Sequence, residues 1–214
     1  GSEMCIRDRA DIDPLWHELA RLSEAGELRR LSYAFARFIA TLGATSPALV
    51  LATSVLSELE GQGHSCLQLS DLAAGPAALL GWEDEQWKLL ARAAGPLPRS
   101  AQAWARELAG CQQVWDVSAF DYDQPLVLDG DRLYLRRYWR DEMLVARAVR
   151  ERATKRRAVD EAEVRGWLDM LFASQRSVEG PDWQKLACAI ALRGSVAIIT
   201  GGPGTGKTYT VARL

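Results

Sequence analysis

Histidine is nearly absent from this sequence of 214 residues, and cysteine is sparse. His17 and His64 are too isolated to make a metal site; His17 reads as a helix surface residue and His64 sits in a glycine-rich turn. Cysteines at 5, 66, 111 and 188 include no C-x-x-C pair, which excludes zinc spacing and any readable disulfide framework. Free thiols in a reducing cytosol are the simpler account. No apolar run reaches transmembrane length, and no basic segment precedes an apolar one in the manner of a leader. The expectation is a cytoplasmic protein with no membrane partner. A net charge of −2 excludes strong global attraction to nucleic acid. Lysine occurs only at 88, 155, 185 and 207, so any lysine in a motif position is a scarce residue type.

What is present points to packed globular structure. Hydrophobic residues make up 48% of the chain and eight are tryptophans, far from a disordered composition. The tryptophans read mainly as core anchors, with Trp16 and Trp82 as candidates for exposed docking residues. Residues 1–10 are polar and patternless and are read as a cloning or assembly remnant. Leu15, Leu19 and Leu22 share one helical face up to Gly26; Leu31, Phe35, Phe38, Ile39 and Leu42 form the next stripe up to Gly43. Ser46-Pro47 opens a third helix that is apolar over most of its circumference, as expected of a buried bundle helix. Cys66–Leu69 is a short apolar stretch, and helices follow around 83–94 and 100–109. Residues 11–110 are thus expected to form one small all-helical domain.

The pattern then changes. Leu126–Leu135 reads as two strands around Asp129-Gly130, a strong hairpin signal. A basic helix is expected over 136–152. Asp160 and Glu163 resemble a capping box ahead of a face made by Val164, Trp167, Leu168, Leu171 and Phe172. Another helix starts at Gly180-Pro181-Asp182, with Trp183, Leu186, Ala187 and Ile190 inward, and Ser195–Thr200 is expected to be an apolar β-strand. From Arg132 to Arg157 cations dominate, but Arg147, Arg150, Arg152, Lys155, Arg156 and Arg157 read better as a solvated helix end than as a DNA track, since no aromatics are interleaved.

One motif carries chemistry. Gly201-Gly202-Pro203-Gly204-Thr205-Gly206-Lys207-Thr208 is a complete P-loop (Walker A), G-x-x-x-x-G-K-[ST], set between the expected strand and a helix. Its glycines let successive backbone amides turn toward phosphates, and the helix start adds a positive end. Lys207 is expected to neutralise the β/γ-phosphate oxygens, and the Thr208 hydroxyl to ligate Mg²⁺. These two are the candidate catalytic positions; Tyr209 adjoins the loop. Gln184 lies near the start of the preceding helix, and a glutamine amide can pair with adenine N6 and N7 together, selecting ATP.

With the P-loop at this spacing, Asp182–Ala187 looks like the Q-motif of superfamily 1 helicases. The run from Trp183 through Ala187, then Ala191-Leu192, Ser195 and 201–208, is similar to the RecD family, the exodeoxyribonuclease V alpha subunit. Pro125–Trp139 resembles the segment joining that family's N-terminal domain to its first motor domain, and Gly63–Leu67 a feature of its helical N-terminal domain. Tyr209 replaces the small polar residue more usual after the P-loop threonine.

The resemblance implies an ATP-driven 5′→3′ helicase on single-stranded DNA, working with RecB- and RecC-like subunits in double-strand break repair and recombination. The nuclease of that complex lies in its B subunit. Gln184, Gly201, Gly202, Pro203, Gly204, Thr205, Gly206, Lys207, Thr208 and Tyr209 carry over as ATP-site positions. The fold expected is mainly α: a helical partner-docking domain over 11–110, a hairpin and helical connector over 111–180, and the truncated start of a RecA-like P-loop α/β domain over 181–214. Hydrolysis also needs a Walker-B carboxylate, a water-positioning residue and an arginine finger. Leu126–Asp129 imitates a Walker-B strand but precedes the loop and runs into Asp-Gly, so hairpin is the better reading. The alternatives are a partner-docking module without ATPase activity, a stand-alone RecD-like helicase, and an unrelated P-loop ATPase.

Overall fold

A computed structural model describes residues 14–173 and 180–214. The expected remnant over 1–10 lies outside the described residues. The chain forms two compact units, Gly1–Asp141 and Glu142–Leu214.

In the first unit, α1 covers 14–24 and buries Leu15, Leu19 and Leu22 completely, the face set by their helical spacing. Each such leucine contributes about 1.5–3 kcal/mol relative to an exposed one. Gly26, at φ +77°, turns the chain toward α2 (Arg30–Thr41). Next comes α3 (Pro47–Gly61), with Pro47 in the first turn and the Ser46 hydroxyl accepting from Leu49 N at 3.2 Å. Every residue of α3 from Ala48 to Leu59 is buried, as an all-round apolar helix requires. Its buried hydroxyls are satisfied locally: Thr53 Oγ1 donates to Leu49 O and Ser54 Oγ to Val50 O, both at 2.8 Å.

The stretch 66–68 is not part of a helical bundle. It is a strand, β1 (Cys66–Gln68), and the expected all-helical region is interrupted there. Short helices α4 (Leu69–Ala74) and α5 (Ala77–Leu80) follow. Then come α6 (Asp84–Ala94), opened by a reciprocal Glu83–Gln86 capping box, and α7 (Ala101–Ala109), capped by Ser100. Strands β2 (Val114–Asp116), β3 (Leu126–Asp129) and β4 (Arg132–Leu135) complete a mixed sheet in the order β1-β4-β3-β2. The hairpin pairs Leu126 with Leu135 and Asp129 with Arg132, and Gly130 at φ +62° makes its turn. β1 pairs antiparallel with β4, and β2 parallel with β3. One core joins Ile39, Leu49, Leu56, Trp104, Leu128 and Leu133, so the hairpin packs with the helices that precede it.

The second unit contains the later part of α8 (Arg136–Ala153), then α9 (Glu161–Leu171), α10 (Trp183–Leu192) and α11 (Lys207–Val211). Asp160 caps α9 by accepting from Ala162 N and Glu163 N. Asp182 caps α10 in the same way, accepting from Gln184 N and Lys185 N. The core here is small: Leu168, Phe172 and Cys188, flanked by Val164, Ala189 and Tyr209. Two expectations are corrected. Trp167 is 56% exposed, and Trp183 and Ile190 are 71% and 62% exposed, so α10 packs through Cys188 rather than through its large apolar residues. The segment 195–200 forms no ladder with any strand of the described residues; only Arg156 and Gly194 make a bridge just before it. A buried parallel strand needs neighbours, and none of the described residues offers this segment an edge. The start of a RecA-like sheet is therefore not seen. The basic segment is exposed from Arg150 to Arg157, with Arg147 paired to Glu151 at 2.8 Å.

Candidate functional site

The P-loop residues sit on the second unit, held between α10 and α11. Gly204 and Gly206 both take φ +77°, the left-handed conformation that glycine adopts freely. Residues 201–205 are exposed. Beside Gly202 and Gly204 there is open space: a Cβ on either would meet nothing within 4 Å. An incoming phosphate could therefore approach the backbone closely there. Thr205 Oγ1 donates to Gly202 O at 2.9 Å and closes the loop on itself. Lys207 curls back over it, its ammonium donating to Gly201 O and Gly202 O at 2.7 Å each. Neutral carbonyls are weaker partners for a cation than phosphate oxygens, so this lysine is held where an anion would compete for it.

Gln184 is brought to the same place. Its amide nitrogen donates to Thr205 O at 3.2 Å, across 21 residues of sequence. The Asp182 cap fixes the backbone of Gln184, and Lys185 next to it is paired with Asp169 of α9. Thr208 is exposed in the first turn of α11. Tyr209 turns elsewhere: its ring meets Phe172 edge-on and lies under the Arg213 guanidinium. Thr210 is buried; its hydroxyl donates to Gly206 O at 3.0 Å and its carbonyl accepts from Cys188 Sγ at 3.4 Å. Burial raises the Cys188 thiol above its ordinary value, in keeping with a packing role rather than a reactive one.

Gln184, the loop glycines, Thr205 and Lys207 are thus gathered by the fold, with Thr208 on the adjoining turn. The Asp169–Lys185 and Cys188–Thr210 links were not foreseen, because nothing local in the sequence marks a pairing between separate helices. Asp129, the imitation Walker-B residue, ends β3 and accepts from Trp139 Nε1 at 3.0 Å, a hairpin role. No group of three metal-ligating side chains occurs among the described residues, and no described helix is long and apolar enough to cross a membrane.

Residues 24–134 match the family model for the N-terminal domain of RecBCD enzyme subunit RecD. The chain belongs to the RecD family. RecBCD enzyme subunit RecD of Haemophilus influenzae is 30% identical over 211 residues, covering 92% of this chain and 32% of the relative. The Mycobacterium tuberculosis RecD subunit is 33% identical over 180 residues, covering 83% of this chain and 26% of the relative. That of Mycolicibacterium smegmatis is 41% identical over 93 residues, 42% of this chain. The chain spans about a third or less of the length of these RecD relatives. The RecD N-terminal match falls on the first unit, and the loop lies outside it.

Proposed function

We propose that this chain is the N-terminal part of an ATP-dependent DNA helicase subunit of a RecBCD-type (exodeoxyribonuclease V) complex. Its motor would translocate 5′→3′ on single-stranded DNA during double-strand break repair and recombination in the cytoplasm. The first unit would dock the RecC-like subunit of a complex that also holds a RecB-like one, and the loop of the second would bind ATP with Mg²⁺. The observation that carries the reading is the reach of Gln184 to Thr205 O in a loop whose Lys207 donates to the Gly201 and Gly202 carbonyls.

The bound nucleotide would supply the phosphoanhydride whose hydrolysis drives movement, with Mg²⁺ screening its charge. Gly202, Gly204 and Gly206 would let the backbone wrap the phosphates. Lys207 would leave its carbonyl partners for phosphate oxygens, and the Thr208 hydroxyl would face the metal. Gln184 would hold the adenine edge. Tyr209, turned to Phe172 and Arg213, would brace the helix behind the loop.

A second reading, a docking module that turns over no ATP, draws on residues 196–200 joining no ladder among the described residues. Nucleotide binding by this chain and single-stranded-DNA-stimulated hydrolysis by the full-length subunit, each measured for wild type and Lys207→Ala, separate the two. Binding and turnover lost in Lys207→Ala support the motor reading. No Lys207-dependent turnover supports the module.

A further inference from the structure

Helix α2 carries its apolar residues on two faces. Ser32, Ala36 and Ile39 are buried in the first unit. Leu31, Phe38 and Leu42 are instead 60%, 53% and 46% exposed, and with half-buried Phe35 they form one stripe at i, i+4, i+7 and i+11. Three exposed large apolar residues aligned with a half-buried fourth on one face differ from the scattered exposed leucines of an ordinary surface. Beside the stripe runs a groove of about 390 Å³ floored by Leu31, Phe35, Pro125 and Leu135.

The charges around this face are uneven. On the groove side, Glu60 is engaged by Arg29, by Arg137 at 3.1 Å and by the Tyr138 hydroxyl at 2.7 Å. Arg136 there is engaged by Asp121 and Asp123. On the other edge stand Arg30 and Arg37, both exposed and seven residues apart on the same side of the helix, the Arg37 guanidinium 4.8 Å over the Trp16 ring. Cations outnumber carboxylates around the stripe.

We propose that this face docks one amphipathic helix of a partner protein, its apolar ridge seated in the groove along α2 and its carboxylates set against Arg30 and Arg37. The fit is a helix in an apolar groove with a charged edge that fixes orientation. The proposal rests on the reading that the chain assembles with RecB- and RecC-like subunits, and it names the surface they meet.

The test uses the whole chain, co-produced with the RecB- and RecC-like subunits of its own organism, with affinity and salt dependence measured on immobilised chain. Phe38→Glu and Leu31→Glu are separate variants at exposed positions, each checked for an unchanged thermal midpoint. Retention is expected to fall about thirtyfold or more in each, the scale of a buried interface anchor. Arg30→Glu is expected to weaken binding and flatten its salt dependence, and Met170→Glu, exposed on α9 of the second unit, to leave it unchanged. Wild-type retention by both stripe variants overturns the docking face while leaving the partner reading intact. Failure of the wild-type chain to bind either subunit overturns both. Loss in the stripe variants of self-association alone, or of single-stranded DNA binding alone, overturns the proposal in favour of a second copy or of nucleic acid.

Discussion

The Gln184 amide nitrogen donates to the Thr205 carbonyl at 3.2 Å, and a Cβ placed on Gly206 would lie 2.3 Å from that same nitrogen. The glutamine and the last glycine of the loop therefore occupy one tight corner. Gly206 also stands at φ +77°, where an L side chain costs about 1–2 kcal/mol.

Gly206→Ala should thus suffer both backbone strain and a displaced Gln184. We expect fluorescent ATP to bind about tenfold more weakly to this variant, equivalent to about 1.4 kcal/mol. In a Gln184→Ala background the crowding is gone and only the strain remains, so the same substitution should cost less there. Equal losses in both backgrounds would show that the two residues do not share the corner.

Glu58 supplies what α2 lacks. Arg29, at the N-cap position, makes no capping bond with its own side chain. Instead Glu58, on the buried α3, accepts from Arg29 N at 3.1 Å and from Ser32 Oγ at 2.8 Å. A carboxylate at a helix N-terminus also complements the helix dipole. Glu58→Ala strands these donors at a buried site and is expected to destabilise the protein by about 1.5–3 kcal/mol in urea denaturation. An effect below about 0.5 kcal/mol would mean that water replaces the carboxylate without loss.

Much of the first unit was legible because its signals are local. Ser46-Pro47, Ser100 and the Asp-Gly turn each act within a few residues, and each stands where the sequence placed it. The parallel pairing of Val114–Asp116 with β3 and the recruitment of Cys66–Gln68 to β4 depend on distant segments, and three-residue strands carry no period. On α10 the pattern named the wrong side. Its apolar residues occupy nearly the whole circumference, so spacing alone could not choose Cys188 over Ile190. At the candidate site, spacing and family resemblance pointed to Gln184; the contact with Thr205 is a tertiary fact.

Asp121 holds the 117–125 connection through Arg136, whose guanidinium donates to both carboxylate oxygens, at 2.5 and 2.8 Å. The hydrogen bond from Arg136 is the main reason the Asp121 carboxyl lies below its ordinary value. A carboxylate depressed in the folded state contributes stability that is present above its unfolded pKa and lost as pH falls through the folded value. The Asp121 contribution should therefore be constant near neutral pH and fade below the ordinary carboxylate range. A carboxyl NMR titration should find Asp121 low in wild type and moved upward in Arg136→Ala. An unchanged midpoint in the variant would remove Arg136 as the cause.

The segment before the loop gives the sharpest contrast in backbone protection. Residues 126–129 and 132–135 bond to each other and to flanking strands, and Leu126, Val127 and Leu133 are fully buried. Residues 196–200 join no ladder among the described residues, and Ile198 is 81% exposed. Their amides lack the partners that slow exchange. Hydrogen exchange on the isolated chain should label 196–200 at the shortest times, while the hairpin amides stay protected by orders of magnitude. An apolar segment that joins no ladder also invites association, so protection of 196–200 that grows with protein concentration would mark edge-to-edge pairing between copies. Strong protection at low concentration, where the chain is monomeric, would instead require a sheet partner for this segment within the chain.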